Sequence, residues 1–107
     1  MIEEFLQQGS ELERAKIISE TARIPWLELQ RFFAAGKVML VAAELDLIDV
    51  AHALQLDNVE QVKKWTENLQ LSPVSDVQAK QWVAEDASLW TVVIKPWILV
   101  QTVTPKS

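Results

Sequence analysis

The stretch that most limits what this chain can become is Trp90–Gln101, reading W-T-V-V-I-K-P-W-I-L-V-Q. It is the most apolar part of the sequence, and its Val, Ile, Thr and Trp residues favour a pleated, half-buried surface. Pro96 interrupts it near the middle, and proline is not tolerated inside a central strand. The pattern predicts two strands, 90–95 and 98–103, bent or turned at Lys95-Pro96-Trp97. Everything upstream then needs to pack on them.

Upstream, the spacing is mostly helical. Ser10 followed by Glu13 has the form of a capping box. Leu12, Ala15, Ile18 and Ala22 would share one face, which predicts a helix over 11–23. Residues 1–9 are expected as a short helical turn or a fraying end, and 104–107 as a loose tail. Ile24-Pro25 breaks the pattern, and proline suits a first helical turn. A second helix is expected at 25–35, with Trp26, Leu29, Phe32 and Phe33 inward, Glu28 and Arg31 outward as a possible surface pair, and Gly36 as its left-handed stop. Val38–Ala43 is short and continuously apolar, as in a strand buried on both faces. Asp46 then caps a helix at 46–56. Asp57 with Glu60 starts another, reaching Leu69 with Val59, Val62, Trp65 and Leu69 inward. Ser72-Pro73 breaks the chain, and Ser75 with Gln78 opens a helix at 76–86 with Ala79, Trp82 and Val83 inward. The expected fold class is α+β: several short helices on a small, at least partly antiparallel sheet with strands 38–43, 90–95 and 98–103.

A chain of 107 residues is expected to form one domain, 1–107. Half of the residues are hydrophobic, which excludes a disordered chain. There is no cysteine, so disulfides and thiolate metal sites are excluded. Met1–Gln8 has two glutamates and no basic stretch, unlike a secretory signal, and no apolar run nears the ~18–20 residues that span a bilayer. A cytoplasmic protein is expected. The net charge of −5 is concentrated in residues 46–86, and this argues against phosphate backbones and anionic membranes as partners.

Several phrases resemble a known family. They are E-T-A-R-I-P-W-L-E-L-Q-R-F-F-A-A-G-K-V (Glu20–Val38), E-L-D-L-I-D-V-A (Glu44–Ala51), K-K-W (Lys63–Trp65), V-S-D-V-Q-A-K-Q-W (Val74–Trp82) and L-W-T-V-V-I-K-P-W-I-L-V-Q (Leu89–Gln101). They are similar to a family of small bacterial proteins known as domain of unknown function 2288. The resemblance implies a bacterial, cytoplasmic origin and brings no activity, cofactor or catalytic residue.

Candidate sites are few. Of the five tryptophans, Trp26, Trp65, Trp82 and Trp90 read as core, whereas Trp97, beside Pro96 at a bend, reads equally as core or contact surface. Glu20, Thr21 and Arg23 form a polar corner before the Ile24-Pro25 break, most simply read as capping. Asp46, Asp49 and His52, with Glu44 nearby, could be arranged for a metal or a proton relay, but Asp46 is already a cap and a lone histidine lacks a motif partner. With Gly9 and Gly36 the only glycines, no phosphate-cradling loop can be written. No catalytic, metal or cofactor site is assigned. The order helix, break, helix, hairpin echoes a winged helix-turn-helix, though Ser75-Asp76-Val77-Gln78 carries the wrong charge for reading DNA.

The leading expectation is a non-enzymatic interaction module that self-associates, because strands 38–43 and 97–100 are apolar on both faces and a chain this short could lack helices to cover them. The alternative is a small-ligand sensor or enzyme with a pocket between the sheet and helix 25–35, lined by Trp26, Trp97 and Glu20 or Arg23. Nucleic-acid binding comes third.

Overall fold

In the computed structural model the described residues are 2–103 for the backbone and 11–103 for the side chains. The chain runs α1 (Ile2–Glu20), β1 (Ala22–Pro25), α2 (Trp26–Ala34), β2 (Val38–Val41), α3 (Leu47–Gln55), α4 (Val59–Glu67), β3 (Leu71–Pro73), α5 (Asp76–Glu85), β4 (Ser88–Ile94), β5 (Trp97–Thr102). Five strands form one mixed sheet in the order β1-β4-β5-β2-β3. The fold is α+β.

The apolar hairpin lies at the centre, as its composition predicts. β4 and β5 pair antiparallel from Leu89↔Thr102 to Ile94↔Trp97, around a turn whose Lys95–Pro96 peptide is cis. β5 also pairs parallel with β2, Leu40 opposite Val100. Strand alternation then divides the side chains between two cores. Val38, Leu40, Ile98 and Val100 face one side, packed with Trp26 and Leu29 of α2 and Ala79 and Trp82 of α5. Met39, Val41 and Leu99 face the other, packed with Ile17 of α1, Leu47, Val50 and Ala51 of α3, and Val62 and Trp65 of α4. Helices therefore cover both faces of the sheet.

Two strands are not predicted by the sequence. β1 pairs with β4 (Arg23↔Trp90, Pro25↔Ser88), and β3 pairs with β2 (Val41↔Leu71, Met39↔Pro73). Both are edge strands of three or four residues that end in proline. Such pieces are too short for a period-2 pattern, and their prolines are tolerated only at an edge.

The expected helix at 11–23 differs at both ends and in its phase. α1 begins at Ile2, so Ser10 lies inside it rather than at its cap, and the helical backbone of 2–9 is continuous with the rest of α1; Met1 and 104–107 lie outside the described residues. Among its described side chains the buried one is Ile17, whereas Leu12 and Ile18 are exposed and Ala22 belongs to β1. Ile17 packs into the core and shares its helical face with two polar side chains. Arg14 pairs with Asp49 at 2.8 Å and Glu13 meets His52 Nε2 at 3.2 Å, so a polar stripe of α1 faces α3. Elsewhere, Pro25 sits one position earlier than expected, at the N-cap of α2. Val59, Leu69 and Val83 are exposed rather than inward, and so is Trp90 at 40%.

Asp46 caps α3 through the Ile48 amide at 2.8 Å, and Ser75 caps α5 through the Gln78 amide at 3.1 Å. α4 is capped by Asn58, not Asp57, through the Gln61 amide at 3.3 Å. Asp57 is used differently: it is the left-handed residue that ends α3. Four helices stop in the same way. Gly36, Asp57, Leu69 and Asp86 have φ of 73°, 56°, 59° and 51°. In each case the next amide reaches back to a carbonyl five residues earlier, as in Lys37→Phe32 at 3.0 Å and Gln70→Trp65 at 2.8 Å. This is the Schellman closure, which favours glycine at the left-handed position.

Leu69 is 80% exposed, so its side chain adds little packing to offset a left-handed backbone. Leu69→Gly is expected to stabilise the protein by about 0.5–1 kcal/mol, the left-handed cost less glycine's extra unfolded-state entropy. A melting curve that shifts upward checks this; an unchanged or lowered Tm contradicts it. Gln101 is the opposite case. Its Nε2 donates to the Ala42 and Leu45 carbonyls at 2.9 and 2.7 Å, tying the β2–α3 loop to β5. Gln101→Leu removes both bonds and is expected to cost about 1–2 kcal/mol in urea unfolding.

Candidate functional site

α2 and α5 lie on the same face of the sheet, each showing one stripe to the other. From α2 the stripe is Trp26, Gln30 and Phe33; from α5 it is Asp76, Ala79, Lys80 and Val83. These are the i, i+3/i+4, i+7 positions that share a helical face. Between them is a groove of about 480 Å³. Its walls are mostly apolar, with Gln30, Asp76 and Lys80 as the polar groups.

Trp26 is the anchor of this arrangement and is 1% exposed. Its ring meets Trp82 edge-on at 4.9 Å between centroids and Phe33 at 5.5 Å, tilted by 59°. Edge-to-face contact suits the ring quadrupoles. Its backbone amide donates to the Ala87 carbonyl at 2.8 Å, which ties the start of α2 to the turn after α5. No side chain caps α2, because its N-cap is Pro25. Trp26 Nε1 is buried, and among the described residues it is the one buried side-chain polar atom without a hydrogen-bond partner. Leaving such a donor unpaired costs about 1–3 kcal/mol.

The residues singled out from the sequence do not converge. Trp26 floors the groove, but Trp97 and Pro96 are at the β4–β5 turn. Trp97 belongs to the opposite face of the sheet, where it lines a cleft with Met39, Leu54 and Val62. Arg23, on β1, lies 5.9 Å from the Trp90 ring centroid, on the strand position paired with it. Glu20 ends α1 and borders a third cleft with Lys16, Gln55 and Lys95. The expected pocket with Trp26 and Trp97 together is therefore not formed, because Trp97 and Leu99 alternate away from Ile98 and Val100, which pack with Trp26.

Asp49 and His52 do not combine either. Each is paired with α1, and Asp46 is engaged in capping. Glu44 accepts from Gln70 Nε2 at 3.4 Å. Arg31 lies 4.7 Å from the Phe32 ring, and among the described residues no ion pair joins it to Glu28. The winged-helix arrangement is overturned: α4 packs on one face of the sheet and α5 on the other, with β3 between them. Gln30 and Lys80 carry no sequence signal of their own, and Ala79 and Val83 are expected from the sequence only as the inner face of their helix. The spacing Trp26–Gln30–Phe33 is the one hint, and it needs α5 as a second wall to become a site.

No curated protein matches the chain. Among solved structures it is similar to "NMR solution structure of PA1075 from Pseudomonas Aeruginosa", at 44% identity and a TM-score of 0.77, over 87% of this chain and 86% of that one. A family model described as "Protein of unknown function (DUF2288)" matches residues 12–102. That span takes in all five strands and α2 to α5 entire, and the chain belongs to the DUF2288 family.

Proposed function

We propose that the protein is a non-enzymatic binding module whose working surface is the groove between α2 and α5, and that the groove takes a small, mostly apolar molecule. The observation that carries this reading is the groove itself. Its 480 Å³ falls within the range of about 300–1,000 Å³ typical of small-molecule sites, which pair apolar walls with a few polar groups. The Trp26 ring, almost fully buried, lies beneath it.

A non-catalytic role is supported by how the polar side chains are used. Asp46, Asn58 and Ser75 hold helix starts, Asp49 and His52 hold α1 against α3, and Gln101 holds a loop. Self-association was expected because the sheet faces looked uncovered, and helices on both faces remove that motive. Pairing through the sheet edges is also discouraged, since β1 and β3 are short and end in proline. A bacterial, cytoplasmic setting belongs to the same reading. Among the described residues no helix is long and apolar enough to cross a membrane.

The test is a fragment screen by ¹⁵N NMR, in which the five indole N–H signals act as separate reporters. Binders are expected to move the Trp26 indole together with the amides of Phe33, Ala79 and Val83. Val83→Lys, at an exposed groove wall, is expected to weaken them at least about tenfold without unfolding the protein. Binders that leave the Trp26 signal in place and are indifferent to Val83→Lys contradict the proposal.

A further inference from the structure

On the other face of the sheet, α4 is held differently from its neighbours. α3 buries Leu47, Val50, Ala51 and Ala53, whereas α4 buries no residue. Val62 and Trp65, both half-buried, are its apolar contacts with the core, while Val59 stands 65% exposed. Two mostly apolar clefts, open to solvent, adjoin the helix. One, of about 260 Å³, is bordered by Leu54, Val59 and Val62 with Asp57, Asn58 and Lys63, and the other, of about 220 Å³, by Met39, Leu54, Val62, Thr66, Leu71 and Trp97. Leu54 and Val62 border both. A helix with few buried contacts belongs to the low-stability part of a fold.

The ends of α4 are also suited to movement. Before it lies Asp57 and after it Leu69, each a single left-handed residue at a sharp chain reversal, with φ of 56° and 59°. Beyond them the chain is anchored. The Leu56 amide is bonded to His52 within α3, and the Gln70 carbonyl accepts from Ala42 beside β2, both at 2.9 Å. Val59–Glu67 is thus a lightly packed helix between two fixed points.

We propose that α4 is a lid. It lifts as a unit, turning at Asp57 and Leu69, and uncovers an apolar floor of Met39, Leu54, Leu71 and Trp97. The sheet, α3 and α5 stay folded while it does so. The lid is on the face opposite the α2–α5 groove and does not depend on what that groove binds.

Native-state hydrogen exchange tests this on the whole chain. The amides of Asn58 and Gln70, whose bonds to Ala53 and Trp65 cross the two turning points, should share one opening equilibrium, at least about 100-fold more populated than the opening that exposes β5. Val50→Ala separates the lid from global unfolding. Val50 is fully buried among α1, α3 and the sheet, so this change should speed exchange in β5 about tenfold or more and leave the α4 opening unchanged. A second readout uses the absence of native cysteine. Leu71→Cys, on the floor, should react with a disulfide reagent under native conditions at the rate set by the α4 opening, and Leu99→Cys should react far more slowly. Exchange at Asn58 and Gln70 that follows β5 in the wild type and in Val50→Ala, or equal labelling of the two cysteines, overturns the proposal.

Discussion

The structure depends on β5 being buried from both sides at once. Ile98, Leu99 and Val100 are 6%, 0% and 0% exposed, and their alternation sends Leu99 into one core and its neighbours into the other. Each such side chain contributes about 1.5–3 kcal/mol by burial. A strand buried in this way needs partners along both edges and cover on both faces. β4 and β2 supply the edges. α2 and α5 cover one face, and α1, α3 and α4 the other. The two cores lie on opposite faces of the sheet, so this strand couples the helices of one face to those of the other.

The groove follows from this arrangement. α2 enters directly from β1, and Trp26 is fixed by its amide bond to Ala87 and by the Trp82 ring. With both helices committed to the sheet by Leu29, Ala79 and Trp82, their outer flanks are left apart. The small Ala79 opposite Gln30 and Phe33 leaves space that a larger side chain would fill. The opposite face solves its packing differently. There α1 is fastened through Arg14 and Glu13, α3 is deeply buried, and α4 carries the slack.

Much of this was legible in the sequence, where long apolar runs or strong caps dominate. The hairpin around Pro96, the apolar strand after Gly36, Asp46 as a cap and Ser75 as a cap each rest on local chemistry, and each is found. What was not legible depends on partners distant in the chain. β1 and β3 are strands only because β4 and β2 offer them an edge. The phase of α1 depends on distant elements: Ile17 enters the core with Val50 and Leu99 while Arg14 and Glu13 meet α3 beside it, and this leaves Leu12 and Ile18 outside. Asp57 reads as a cap in isolation but serves as the end of α3. Trp26 and Trp97 were both singled out, and the period-2 alternation of 97–100 already puts Trp97 on the face opposite Val100. The groove itself needs α2 and α5, about fifty residues apart in sequence, to be neighbours.

The most direct test of the shared strand is native-state hydrogen exchange on Leu99→Ala. This change touches only the core of α1, α3 and α4, and is expected to cost about 2–4 kcal/mol. If β5 couples the two cores, the slowest-exchanging amides of α5, around Trp82 on the far face, lose as much protection as those of α3 around Val50. Undiminished protection in α5, with loss confined to α3 and β5, would mean that the two faces are held independently, and the account would fail.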